Sequence, residues 1–227
     1  MKGAICQRVR LVTVGVVCMA AALVACNRTN GDDGSTASTA AKTHLDSSAG
    51  DVAQYSLMTN PVGWLTDSNL VALAAIVNEA PVHLARVESQ QSANQQVHEF
   101  ALEIIRDHAA LQTSIDSLAA KRRVPSQRPA VAGSIQAPYD SAVATLSTAP
   151  LQQLAATFLA LEDHVHTLTL TDFSALAGNA TDPDLRALFA IRATTMEQRH
   201  VARAKQLATS LAQADSAKQA ARPGRKP

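Results

Sequence analysis

Apolar residues recur at helical spacing along most of this chain, and the pattern is clearest between Val97 and Leu118. They fall three and four positions apart, which places them along one face of an α-helix. His108 lies on the same stripe, and Asp107 precedes it. A histidine on a core-facing stripe needs hydrogen-bond partners or a ligand for its ring nitrogens. The stretch therefore predicts a buried helix that carries a polar site.

Three further segments share this periodicity and no segment alternates like a strand, so the chain is predicted to be all-α. The predicted helices cover about residues 67–91, 95–120, 151–177 and 181–214. Of all residues, 47% are hydrophobic but only 3% are aromatic. A core built from Ala, Leu, Val and Ile suits closely packed helices, and four long amphipathic helices predict a four-helix bundle.

The lengths of the connections predict how these helices are arranged. Tight turns join the first helix to the second and the third to the fourth, so each pair should be an antiparallel hairpin. Residues 124–150, which contain several prolines and one short helix at about Tyr139 to Leu146, separate the two hairpins. This is far longer than the roughly 2–8 residues that a simple up-down bundle needs. We therefore predict a ferritin-like bundle with a long crossover between helices 2 and 3, which then run parallel; a folded excursion beside a simple bundle is the alternative.

The N-terminus has the features of a targeting segment. Three basic residues occur in the first ten positions, and an apolar run follows at residues 11–24. That length suits a signal peptide and is short for a membrane span. The run ends Leu23-Val24-Ala25-Cys26, which resembles the lipobox of bacterial lipoproteins, cleaved before Cys26 and acylated on its thiol. A plain cleaved signal or an N-terminal anchor helix is the alternative.

These features predict four regions. They are a lipoprotein signal at residues 1–25, a disordered tether at 26–62, a ferritin-like domain at 63–214 and a polar basic tail at 215–227. We expect a protein lipid-anchored in the cell envelope and facing the periplasm. Asn27 after the cysteine is similar to sequences that are sorted to the outer membrane. The membrane is thus the expected partner, and a net charge of +1 gives no reason to expect nucleic acid.

Histidines and carboxylates with ligand spacing lie on these helices. His108, His166 and His200 fall on the inward stripes of three different helices. The accompanying pairs are Glu162 with His166, Glu197 with His200, and Glu79 with His83. Ferritin-like di-metal bundles use a Glu from each of two helices and E-x-x-H from the other two, a pattern that this chain matches in part. The candidate ligands are His108, His166, His200, Glu162, Glu197 and Glu79, with Asp107 and His83 as groups that would orient them; iron, manganese or zinc would suit this set.

Several of these positions also resemble a known family. The residues concerned are Asn78-Glu79-Ala80, Phe100-Ala101, Arg106-Asp107-His108, His166 with Leu168, Leu170 and Phe173, and His200 before Ala204 and Leu207. They look like the ferritin-like bacterial envelope domain of unknown function, often labelled "predicted outer membrane protein", over about Leu65 to Ala212. The resemblance implies a secreted or lipidated four-helix domain whose recurring histidines are His108, His166 and His200. Pro81 stands where the family commonly has Glu, which departs from its pattern.

Two functions remain open from the sequence. In the first, which it favours, the protein is an envelope bundle with a binding or structural role, and Asp107, Glu162 and Glu197 satisfy the buried rings. In the second it is a ferritin-like metal-binding or metal-redox protein. Haem is disfavoured because C-x-x-C-H is missing from the sequence and aromatics are few. An enzyme is also disfavoured, since no nucleophile elbow or phosphate loop occurs in the sequence, while a homodimer is compatible with it.

Replacing Cys26 by Ala tests the predicted anchor. The variant should be released or mislocalised, because the acyl chains on this thiol would hold the protein to the membrane. Membrane fractionation and mass spectrometry of the intact protein measure this. A variant that still fractionates with membranes, together with a wild-type protein that carries no lipid by mass, would contradict the assignment.

Overall fold

The computed structural model describes residues 64–221, and this part of the chain is helical and contains no strand. The helices are α1 Asp67–Gln91, α2 Gln95–Arg122, α3 Ala132–Ser147, α4 Leu154–Asn179, α5 Pro183–Ala187 and α6 Thr194–Ala220, with a π-helical segment, Leu188–Ala193, between α5 and α6. The all-α prediction is confirmed. The predicted signal peptide and tether, together with residues 222–227 of the predicted tail, lie outside the described residues.

Short polar side chains fix where three of the helices begin. Thr66 caps α1 and forms a capping box with Asn69. Asn94 caps α2, and Asp182 caps α5 with Pro183 at the first helical position. Each cap accepts hydrogen bonds from backbone N–H groups that have no partner within the helix. These are the starts that the sequence predicted.

Contacts at one end of the domain set the directions of the long helices. Asp67, at the start of α1, accepts hydrogen bonds from the backbone N–H groups of Thr181 and Asp182, at 2.8 and 2.9 Å, just beyond the end of α4. Arg122, at the end of α2, pairs with Asp182 at 3.4 Å. The start of α1 therefore meets the ends of both α2 and α4. Since α1 packs against both helices, α2 and α4 run in the same direction, as the connection lengths predicted.

The helix in the long connector is longer than the sequence suggested. α3 begins at Ala132, whereas a short helix was predicted only from Tyr139, and it packs against α1 and α4. The prediction started after Pro138 because proline usually interrupts a helix. Here the helix continues through it, and an apolar stripe holds it to the core: Ile135, Tyr139, Ala142 and Leu146. Burial of this stripe offsets the lost backbone hydrogen bond.

The fourth predicted helix is divided by the π-helical segment Leu188–Ala193. A π turn holds an extra residue, so it changes which residues of the following helix face inward. Phe189 and Ala193 are buried within it, and Glu197 and His200 are buried on the first turns of α6. No pattern in the sequence predicted this insertion. α6 also runs on to Ala220, and its last nine residues, 212–220, are exposed.

The core is made largely of aliphatic side chains with a few large rings among them. The fully buried phenylalanines are Phe100, Phe158, Phe173 and Phe189. α1 is long and apolar enough to cross a membrane, but 67% of its most apolar window is buried inside the domain. It is therefore the central core helix of this fold.

Replacing Asp67 by Ala should lower the free energy of unfolding by about 1–3 kcal/mol, because two backbone donors between α4 and α5 lose their acceptor. Partial burial acts to raise the pKa of Asp67, but hydrogen bonds from Thr181 and Asp182 outweigh it and lower the pKa. This contribution is therefore present above the ordinary aspartate pKa and is lost as pH falls through the lowered one. Urea unfolding at several pH values measures it. The exposed Asp116→Ala control should stay within about 0.5 kcal/mol of wild type.

Candidate metal centre

Three histidine rings from three helices meet in the middle of the domain. His108 of α2, His166 of α4 and His200 of α6 are fully buried. Their ring centroids lie 5.5 Å apart for His108 and His166, 5.4 Å for His108 and His200, and 4.9 Å for His166 and His200. One nitrogen of each ring lies within 4.8 Å of one nitrogen of the others. The predicted convergence of these histidines is confirmed.

The outward nitrogen of His108 is held by Asn78 of α1. Its Nδ1 lies 3.1 Å from Asn78 Oδ1. The Asn78 amide nitrogen donates to the backbone oxygen of His108 at 3.0 Å and to Gln112 Oε1 at 3.2 Å. This network fixes the orientation of the amide, so an acceptor oxygen faces the ring. His108 therefore carries its proton on Nδ1 and leaves Nε2 with a lone pair.

The other two rings have their outward nitrogens against acceptors as well. His166 Nδ1 lies 2.9 Å from the backbone oxygen of Glu162 and 3.0 Å from its carboxylate. His200 Nε2 lies 3.3 Å from Asp107 Oδ2. A carbonyl or a carboxylate can only accept, so each outward nitrogen donates its proton. The inward atoms are then His166 Nε2 and His200 Nδ1.

These inward nitrogens form an arrangement that calls for a shared cation. His166 Nε2 and His200 Nδ1 lie 3.0 Å apart. If both rings are neutral, two lone pairs face each other, which is unfavourable unless a proton or a metal ion lies between them. His108 Nε2 is buried and has no hydrogen-bond partner among the described residues.

Glu197 of α6 adds a carboxylate to the same space. Its Oε1 lies 4.0 Å from His108 Nε2 and has no hydrogen-bond partner in the described part of the chain. Its Oε2 lies 3.8 Å from His166 Nε2 and accepts a hydrogen bond from Thr169 at 2.6 Å. The centre therefore offers three imidazole nitrogens and one carboxylate.

Burial and mutual repulsion keep two of the rings neutral. Burial lowers the pKa of His108 well below its ordinary value, and the charge at His166 lowers it further. Burial, with the charge at His166, lowers the pKa of His200 to about 4. Burial also raises the pKa of Glu197 to about 7. Two neutral imidazoles are thus available as ligands at neutral pH.

His166 differs from the other two rings. Burial acts to lower its pKa, but the hydrogen bond to Glu162 and the charges of Glu197 and Glu162 outweigh it, and the pKa is raised. The raised pKa favours an extra proton on His166 when no metal is bound, and with that proton its Nε2 donates to His200 Nδ1. A metal ion at the centre would replace this proton.

Of the remaining predicted site residues, two contact the histidine rings and two lie on the surface. Asp107 orients His200, as predicted, and Glu162 contacts the outward nitrogen of His166, so it orients that ring and is not positioned as a ligand. The structure does not bring Glu79 to the cluster. Its side chain is 61% exposed and pairs on the surface with His83, which is 41% exposed, at 3.2 Å.

Two residues at the centre were not among the predicted site residues. Asn78, next to Glu79, is the α1 residue that faces the histidines, and Thr169 lies one turn after His166 on α4. Both are polar positions on an otherwise apolar helix face. That signal marks a buried polar network, but it does not show which ring or carboxylate is the partner.

Comparison with known proteins places this domain in a family. A family model described as a domain of unknown function (DUF4142) matches residues 51–207, and the chain belongs to this family. The match includes all three histidines and confirms the family that the sequence resembled. No curated protein and no solved structure matches the chain.

Replacing Glu197 by Gln should change how stability depends on pH. Because the pKa of Glu197 is raised to about 7 by burial, the folded wild type binds more protons than the unfolded chain below that value. The stability contributed by this group is therefore fully present below the ordinary glutamate pKa and is lost as pH rises from there through about 7. In chelator, the variant should gain stability relative to wild type between about pH 5 and pH 8. Chemical unfolding across this range tests the trend; an equal trend in the exposed Glu79→Gln control would contradict it.

Proposed function

We propose that this domain binds one divalent transition-metal ion at its centre. The ligands are His108 Nε2, His166 Nε2, His200 Nδ1 and the carboxylate of Glu197. One observation carries the proposal: each outward ring nitrogen is bonded to an acceptor, so the three inward ring nitrogens face one another, with the Glu197 carboxylate beside two of them. Imidazole and carboxylate together suit zinc, iron or manganese.

The separations between the donor atoms support a ligand set more than a purely structural network. Ligands about 2.0–2.2 Å from one ion lie roughly 3–3.5 Å from one another. His166 Nε2 and His200 Nδ1 lie 3.0 Å apart, which matches that spacing. The two oxygens of Glu197 lie somewhat further off, at 3.8 Å from His166 Nε2 and 4.0 Å from His108 Nε2. In a structural network, His108 Nε2 and Glu197 Oε1 would be bonded to a neighbour. Both are buried atoms without a hydrogen-bond partner among the described residues.

The arrangement of the helices fits a ferritin-like four-helix bundle in which α3 forms part of the crossover. The ligand set nevertheless differs from that of di-metal bundles, which take a carboxylate from each of two helices beside two E-x-x-H pairs. Here α1 contributes Asn78, and its nearest glutamate, Glu79, faces solvent. A single ion is therefore proposed.

The lipobox at Cys26 supports the proposal that acylation anchors this domain in the envelope, facing the periplasm. The tether of about 35 residues would hold it near the membrane surface. The ligand side chains are completely shielded from solvent, which favours holding an ion over turning over a substrate. The proposed role is that of an envelope metal-binding protein.

Metal analysis and thermal unfolding test this function. Full-length protein purified without a histidine tag should contain metal, and adding the metal to chelated protein should raise its melting temperature. Ion at about 100 times its Kd should stabilise the native state by about 2.7 kcal/mol. His200→Ala should abolish the rise, whereas His83→Ala, on the surface, should leave it intact. If metal is missing from the purified protein and does not shift the wild-type melting temperature, the buried histidines and carboxylates have a structural role only.

A further inference from the structure

We propose that Glu103, Asp107 and Arg199 form an access port through which a hydrated divalent cation reaches the buried centre. The inference rests on the proposed metal site and goes beyond it, because none of these residues is a ligand of the bound ion. The port lies between α2 and α6, on the side of His200 that faces away from the other two rings.

A buried centre of this kind needs a polar route to solvent. All three rings and Glu197 are completely shielded. Moving a divalent cation past apolar side chains is costly, because a charge loses its hydration there without gaining partners. The routes to consider are therefore the chains of polar side chains that connect the ligands to the surface.

One such chain carries carboxylates from the surface to a ligand ring. Glu103 lies one helical turn before Asp107 on α2, and their side chains are 33% and 13% exposed. Asp107 contacts His200 Nε2 at 3.3 Å. One oxygen of Glu103, one oxygen of Asp107 and one nitrogen of His200 lie within 4.8 Å of one another, so the two carboxylates stand directly beside the ligand ring. A cation can thus exchange its water for carboxylate oxygen in steps of decreasing exposure.

Arg199 stands where the cation would pass. Its guanidinium bonds to Asp107, and its Nε lies 4.0 Å from Glu103. The side chain is 58% exposed, so it can swing into solvent, and exposed ion pairs of this kind are weak. α2 and α6 also contact each other less extensively than α4 and α6 do. Arg106 also pairs with Asp107, with 2.9 Å between its Nε and Asp107 Oδ1, and its side chain is 72% exposed. Both arginines therefore act as replaceable counter-charges over the port.

A second polar chain reaches the surface on the other side of α2 and is less suited to a cation. It runs from His108 through Asn78 and Gln112 to Asp116. The Asn78 amide nitrogen donates to Gln112, and the Gln112 amide nitrogen donates to Asp116 at 2.9 Å. A cation here would meet N–H donors in place of carboxylates. Asp116 is thus a matched control on the same helix.

Stopped-flow kinetics with Co²⁺ tests the port. Binding of Co²⁺ to full-length, chelated protein would be followed by its visible absorption, and release by a chelator chase. Glu103→Gln should slow association and release by the same factor, about tenfold, with an unchanged Kd. This follows because a group on the path that does not touch the bound ion changes only the free-energy barrier that the ion crosses on entry and on exit. Both rates therefore change by the same factor. Arg199→Gln should speed both steps, and Asp116→Asn should change neither.

The possible results distinguish a failure of the proposed port from a failure of the proposed metal site. Unchanged rates in Glu103→Gln, or equal slowing in Asp116→Asn, would overturn the port while leaving the metal site in place. A weaker Kd with faster release would show that Glu103 acts on the bound ion, which also overturns the port. If wild-type protein does not bind Co²⁺, zinc, iron or manganese, the proposed function itself fails and the port with it.

Discussion

The hydrogen bonds of three buried histidines determine both the site and the registration of the helices. Asn78 joins α1 to α2 through His108, and Asp107 joins α2 to α6 through His200. The contact between His166 and His200 joins α4 to α6. A sliding of any helix by one turn would leave a buried imidazole without its partner, at a cost of about 1–3 kcal/mol for each unsatisfied group. The polar centre thus specifies a packing that aliphatic side chains alone would define less sharply.

The charges at the centre are balanced in a way that favours a cation. Burial keeps His108 and His200 neutral, while at His166 the hydrogen bond to Glu162 and the charges of Glu197 and Glu162 outweigh burial and raise the pKa. Burial also raises the pKa of both glutamates. An anionic Glu197 is therefore costly in this environment unless a positive charge lies next to it. A metal ion supplies that charge permanently, whereas a proton does so only while the pH permits.

The sequence predicted the part of this site that depends on helical spacing. His108, His166 and His200 fall on apolar stripes, and a stripe must face the core wherever the helices pack. Adjacent positions are harder to assign, because neighbouring residues differ by about 100° around a helix. Asn78 and Glu79 both lie near the edge of the α1 stripe, and packing turned Asn78 inward. The π-helical segment before Glu197 was not predictable, since it keeps the apolar residues at spacings that an α-helix also allows.

The apolar core extends around the centre, so the fold does not depend on a metal ion bound there. Phe100 packs edge-on against His200 at 6.1 Å and against Phe158 at 6.2 Å, while Phe173 and Phe189 pair at 6.1 Å nearby along α4 and the π-helical segment. Small zinc domains lack such a core and unfold without their metal. In this domain a proton on His166 would take the place of the proposed ion, while the phenylalanines and aliphatic residues would remain packed. The proposed centre could therefore gain and lose an ion within a folded protein.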